Sequence, residues 1–182
     1  MQYTYADYLS WDRSEHIELI AGVPVMMAPP SRIHQEISGE LFRQIANYLD
    51  GKRCKVYAAP FSVRLFSSAD TPDHKVDTVV EPDLSVVCDI SKLDQRGCNG
   101  APDFIVEILS PSSVRNDRLT KFNLYQRAGV GEYWIVNPTE KSVQVFTLEN
   151  GYYVATAFGG IGDILKVNAL DGCYVDLTRV FE

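Results

Sequence analysis

The chain has no run of about eighteen apolar residues, so no membrane-spanning helix is expected. Its first eight residues show no basic stretch leading into an apolar core, which argues against a secretory signal. Basic charge is scarce: 17 Lys and Arg stand against 24 Asp and Glu, for a net charge of −7. That balance disfavours a surface built mainly to neutralise phosphates, so a nucleic-acid substrate would need a local basic patch on an acidic chain. Cysteine is sparse as well. Cys54, Cys88, Cys98 and Cys173 form no Cys-x-x-Cys pair. This argues against a zinc cluster or disulfide framework and for reduced thiols in a cytoplasmic protein. Internal repeats, low-complexity tracts and linkers are missing too, and 182 residues suit one domain spanning 1–182.

What is present alternates between two periods. Residues 4–10 read as a short helix, and residues 18–27 as two strands around Gly22. After Pro29 and Pro30, Ser31 is a plausible N-cap. Ile33, Ile37, Leu41, Ile45 and Leu49 then recur at helical spacing, predicting a helix over 31–50. Strands are expected at 56–58 and 61–66, and valine-rich residues 78–88 read as one buried strand with Pro82 near its start or at a bulge. Residues 104–109 form a second buried strand. Pro111-Ser112-Ser113 opens a helix that ends at Gly129. Residues 132–136, 143–148 and 152–157 make a meander, with Asn150-Gly151 as a turn. The mixture predicts a mixed sheet flanked by helices.

Two acids stand out within apolar strands. Alternation places Asp83 on one face with Ser85 and Val87, and Glu107 on one face with Ile105 and Leu109. A carboxylate in such a run is costly unless it is paired, protonated or bound to a metal. If the strands are neighbours, Asp83 and Glu107 converge on one hard cation, which prefers oxygen ligands. Taken singly, Asp83 is equally a bulge residue after proline, and Glu107 a partner for an arginine. Asp117, Lys121 and Tyr125 recur every four residues on the helix that follows the Glu107 strand. Lys121 there supplies positive charge for a phosphate, with Asp117 to orient it; the plainer reading is a surface Asp–Lys pair. As an exposed helix position, Lys121 is expected to tolerate alanine. Supporting candidates are Glu18, and His34, Gln35 and Glu40 on the long helix. A histidine at a helix start is more often structural, and Glu18 is equally the polar face of a strand. Tyr133 and Trp134 read as packing residues.

The order of short motifs carries a resemblance. These are Glu-Pro-Asp (81–83), Ala-Pro-Asp-Phe-Ile-Val-Glu-Ile-Leu-Ser-Pro-Ser (101–112), Asn-Asp-Arg-Leu-Thr-Lys-Phe-Asn-Leu-Tyr (116–125), Ala-Gly-Val (128–130) and Glu-Tyr-Trp-Ile-Val (132–136). Glu-Leu-Ile-Ala-Gly (18–22), Met-Met-Ala-Pro-Pro-Ser (26–31) and His34-Gln35 extend the match over most of the chain. The pattern resembles the Uma-type restriction endonucleases, a bacterial group in the PD-(D/E)XK nuclease superfamily. The resemblance implies an α+β fold with a restriction-endonuclease-like core. It also implies hydrolysis of DNA phosphodiester bonds, Mg²⁺ (or Mn²⁺) held by Asp83 and Glu107, and a homodimer. The usual superfamily motif has lysine two residues after the second acid, where this chain has Leu109; in the family the lysine is moved to the next helix, where Lys121 matches. Two other expectations stay open: a catalytically silent nuclease fold that binds nucleic acid or a protein partner, and a metal-dependent hydrolase of small molecules.

Overall fold

The computed structural model describes residues 2–11, 16–110 and 117–182, without the side chains of residues 117 and 118. Alternation and helical spacing lead to the elements expected of them in most places. A short helix α1 (Tyr5–Tyr8) precedes strands β1 (Ile17–Ile20) and β2 (Val23–Met26) and the long helix α2 (Arg32–Leu49). Ser31 caps α2 by accepting from the His34 N–H at 3.2 Å. The buried stripe is Ile37, Leu41, Ile45 and Leu49; Ile33 lies outside it, half exposed in the first turn.

Strands β3 (Lys55–Ala58), β4 (Val63–Arg64), β5 (Val79–Val80), β6 (Leu84–Val87), β7 (Leu93–Asp94), β8 (Gly97–Asn99) and β9 (Phe104–Ile108) follow. A π-helical turn (Asp117–Lys121) runs into helix α3 (Phe122–Ala128), which Gly129 ends at φ 86°. The helix start expected at 111–113 lies outside the described residues. Strands β10 (Glu132–Asn137), β11 (Ser142–Glu149) and β12 (Tyr152–Gly160) form the expected meander. Strands β13 (Ile164–Lys166) and β14 (Tyr174–Asp176) and the short helix α4 (Leu177–Val180) complete the chain. Among the described residues, no helix is long and apolar enough to cross a membrane.

Among the described residues the strands build two six-stranded sheets, ordered β2-β1-β5-β4-β8-β7 and β12-β11-β10-β9-β6-β3, and a two-stranded sheet of β13 and β14, where the sequence reading expected one mixed sheet. Both six-stranded sheets are mixed: β4 pairs parallel with β8, and β9 parallel with β10. The single strand expected at 78–88 is therefore corrected. It breaks at Glu81-Pro82-Asp83, and its halves belong to different sheets. Proline cannot donate to a ladder, so the break falls where pairing is cheapest to interrupt.

One face of the second sheet packs Leu84, Val86, Phe104, Val106 and Trp134 against the α2 stripe. Its other face packs Val87, Ile105, Leu109 and Tyr133 against α3 and the first sheet. The register Lys55↔Val87 brings Cys54 opposite Cys88, and the two form a disulfide with Cα atoms 3.9 Å apart. Reduced thiols were expected here. A pairing 34 residues apart leaves no local signature, and only strand register brings the two together. Cys98 and Cys173 are free and buried.

Glu132 is a buried carboxylate at the start of β10. It accepts from Trp134 Nε1 at 2.7 Å, Ala169 N at 2.6 Å and Asn168 Nδ2 at 3.2 Å, so it anchors the chain after β13 to the second sheet. Burial pushes its pKa above the ordinary glutamate value, only partly offset by these donors. The folded state then holds this proton more tightly than the unfolded chain. The contribution of Glu132 to stability is therefore fullest below the ordinary glutamate range and declines as pH rises through the raised pKa. Denaturant unfolding across a pH series should show that decline as the difference between the parent protein and Glu132→Gln.

Gly97 begins β8 at φ 133°, and a Cβ there would lie 2.0 Å from the Ser62 carbonyl oxygen, inside van der Waals contact. Gly97→Ala should cost about 3 kcal/mol or more, because strained backbone and overpacking act together. Chemical denaturation will measure the loss directly.

Candidate active site

The two acids meet because two strands are neighbours. Strands β6 and β9 run antiparallel with Leu84 opposite Val106 and Ser85 opposite Ile105. One step further along that register, Asp83 faces Glu107. Directly opposed residues of an antiparallel pair share a face. Both acids line a cleft of about 490 Å³, together with Glu18, Glu81, His16, His34 and Lys121.

Asp83 is held at both oxygens. Its Oδ2 accepts from the Ile108 N–H at 2.7 Å, and its Oδ1 lies 3.2 Å from His34 Nε2. The Ile108 amide fixes the carboxylate to the neighbouring strand, and His34 ties it to the first turn of α2.

Glu107 is buried, and its Oε1 accepts from Tyr125 Oη at 2.6 Å and from Lys121 Nζ at 2.9 Å. The same ammonium lies 2.9 Å from Glu18 Oε1, which also accepts from the Glu81 N–H at 2.9 Å. Lys121 is only 6% exposed, so the expectation of a freely replaceable surface lysine is corrected. The four-residue spacing from Lys121 to Tyr125 holds across the junction of the π-turn and α3, and both side chains reach one carboxylate oxygen. Burial, with the charges of Glu107 and Glu18 behind it, pushes the Tyr125 phenol well above its ordinary pKa. Tyr125 is therefore a protonated donor to Glu107.

The other sequence candidates divide. Glu18 and His34 join the cluster. Gln35 is exposed and does not line the cleft. Glu40 faces along α2, taking Arg43 Nε at 2.7 Å and Gln44 Nε2 at 3.0 Å. About two helical turns separate Glu40 from the N-terminal end that meets the cleft, and its pKa is lowered chiefly by Arg43. Neither Gln35 nor Glu40 lines the cleft. The side chain of Asp117 lies outside the described residues. Sequence reasoning passed over two lining residues, His16 and Glu81. Glu81 takes Tyr8 Oη at 3.1 Å and lies 3.9 Å from His16 Nδ1. Its place in Glu81-Pro82-Asp83, two residues before a candidate ligand, was the available signal.

The donor set suits a hard, partly hydrated cation. Four carboxylates (Glu18, Glu81, Asp83, Glu107) border the cleft, and the lysine among them is shared by two. Negative charge is thus in excess where low dielectric makes it costly, which favours a bound cation. Among the described residues, no three His, Cys, Asp or Glu side chains are gathered into a ready-made metal cage. Mg²⁺ does not need one; it is commonly held by one or two carboxylates and keeps several waters. Asp83 and Glu107 fit that requirement.

Known proteins share this framework. A solved structure from Anabaena variabilis, "a putative nuclease belonging to DUF820", superposes with a TM-score of 0.76 at 18% identity. The match covers 98% of this chain and 97% of that one, and it bears out the α+β architecture of mixed sheets flanked by helices. An uncharacterized protein of Synechocystis is 28% identical over 144 residues, which is 77% of this chain and 71% of that protein. The Uma2 family, described as "putative restriction endonuclease", matches residues 5–178. With that match spanning both sheets, the cleft and the motifs that first suggested it, the chain belongs to the Uma2 family.

Proposed function

We propose that this protein is a Mg²⁺-dependent (or Mn²⁺-dependent) endonuclease that hydrolyses phosphodiester bonds of DNA. One observation carries the reading: Asp83 and Glu107 face each other on adjacent strands and border one cleft, with Lys121 hydrogen-bonded to Glu107. Family membership and the fold of the Anabaena protein support it.

Asp83 and Glu107 would hold the cation. A bound divalent cation supplies a Lewis acid for a phosphoryl oxygen and lowers the pKa of a water. The chain's own residues do the rest. The Ile108 amide and His34 hold the Asp83 carboxylate in place. Tyr125 and Lys121 hold Glu107, and Glu18 holds Lys121 from the opposite side. The Lys121 ammonium is a positive group beside the floor of the cleft, suited to stabilise charge that grows on the phosphate. Hydrolysis adds water across one P–O bond, leaving a phosphate monoester on one fragment and a hydroxyl on the other.

The direct test is incubation of supercoiled and single-stranded circular DNA with Mg²⁺ or Mn²⁺. Opening of either circle by the parent, lost in Glu107→Gln and Asp83→Asn, is the expected result. Calorimetric titration with Mn²⁺ should show weakened binding in both variants. If both variants open circles as fast as the parent, the two acids are not the site.

Lys121 should behave differently from the ligands. Removing it strands Glu18 and Glu107 without their shared cation, so Lys121→Ala should lose about 3 kcal/mol of stability. Assayed below its unfolding transition, it should lose activity by about a hundredfold or more, the scale of a lost charge-stabilising donor. Lys121→Arg should recover stability better than activity, since a planar guanidinium does not replace a compact ammonium.

A further inference from the structure

The cleft has two kinds of wall. Its floor is the carboxylate and lysine cluster, whereas one side is aliphatic: Ile20, Val23 and Val25, which share the Glu18 face of the β1–β2 hairpin, continued by Met27, Ala28 and Pro30. Val23 is 56% exposed, so this wall keeps apolar surface open to solvent beside the candidate catalytic groups. The hairpin lies at the edge of the first sheet, with β2 its terminal strand. Its inner strand also carries Glu18, the partner of Lys121. The one hairpin thus contributes to both the apolar wall and the ionic floor.

We infer that the cleft takes single-stranded DNA, with an unstacked base against the Ile20–Val23–Val25 wall and its phosphodiester over the Asp83–Glu107 floor. The inference rests on the endonuclease reading and names its substrate class. In a duplex the base faces are stacked and covered, and what the outside offers is phosphate, sugar and groove edges. Laid along this wall, a duplex would desolvate charged phosphates against aliphatic side chains. A single strand can turn a base face outward. Proteins that bind single strands stack bases on aromatic side chains, and those that kink or flip bases also press aliphatic side chains against them; the wall here is of the second kind. The cleft's size, about 490 Å³, lies in the range of sites that enclose a small ligand, roughly 300–1,000 Å³. A site of that scale admits a nucleotide and its neighbour's phosphate.

The experiment compares a fluorescent oligonucleotide of about 12 nucleotides, single-stranded or fully paired, since single-strand sites span about 4–16 nucleotides. Binding is read by anisotropy in Ca²⁺, and cleavage of the same strands in Mg²⁺ or Mn²⁺. The single strand should bind and be cut at least about tenfold better than the duplex, the scale of one base-stacking contact. Val23→Asp should lower single-strand affinity by about tenfold or more. Ile164→Asp, an equally added charge at a 65% exposed position outside the cleft lining, should leave it unchanged. Equal or better binding and cutting of the duplex overturns the inference and leaves the endonuclease reading standing. So does a Val23→Asp variant that binds the single strand like the parent. Selective, Val23-dependent binding of the single strand with no cleavage of either form does the opposite: it sinks the endonuclease reading and keeps the assignment of the wall. No binding and no cleavage of either strand form overturns both.

Discussion

The ammonium of Lys121 lies 2.9 Å from a carboxylate oxygen of Glu18 and 2.9 Å from one of Glu107. Glu18 comes from the first sheet, Glu107 from the second, and Lys121 from the turn that leads into α3. Three parts of the chain therefore converge on one buried charge. An ion cluster out of water is tolerated only when its members are close and hydrogen-bonded, and here the amide of Glu81 and the hydroxyl of Tyr125 complete that shell. Two carboxylates against one lysine still leave the cluster negative, and Asp83 adds to it from the opposing strand. That surplus of negative charge is built into the way the two sheets are joined.

The change of sheet at Glu81-Pro82-Asp83 does the other half of the positioning. The chain leaves the first sheet at Val80 and enters the second at Leu84. Asp83 thus stands at a strand end, where its side chain reaches the Ile108 amide of the neighbouring strand. Had residues 78–88 stayed one strand, Glu81 and Asp83 would both have remained in a single ladder. The break lets Glu81 engage Tyr8, Ser62 and His16 while Asp83 engages Ile108 and His34, so consecutive acids serve different neighbourhoods of one cleft.

The acidity of the whole chain takes on a different meaning beside this geometry. A net charge of −7 argues against a broad phosphate-binding surface. The carboxylates that contribute to it near the cleft are the groups that would hold a cation, and the wall beside them is aliphatic rather than basic. Recognition that relies on a bound cation and on base faces asks less of surface lysines and arginines than a duplex-wide contact does.

Short-range order in the sequence determined a good deal. The stripe of α2, the Ser31 cap, the Gly129 stop and the meander of β10 to β12 follow from periods of 3.6 and 2 and from turn chemistry, which act between residues a few positions apart. The motif order was enough to place the chain in its family and to single out Asp83, Glu107, Lys121 and Tyr125. Tertiary structure alone decided what depends on register and on distant neighbours. It split 78–88 between two sheets, paired Cys54 with Cys88, and buried Glu132 under the segment at 168–169. It turned Lys121 from a surface residue into the shared partner of two acids, drew His16 and Glu81 into the cleft, and left Gln35 and Glu40 out. In each case the deciding partner lies many residues away along the chain, and periodicity carries no information about it.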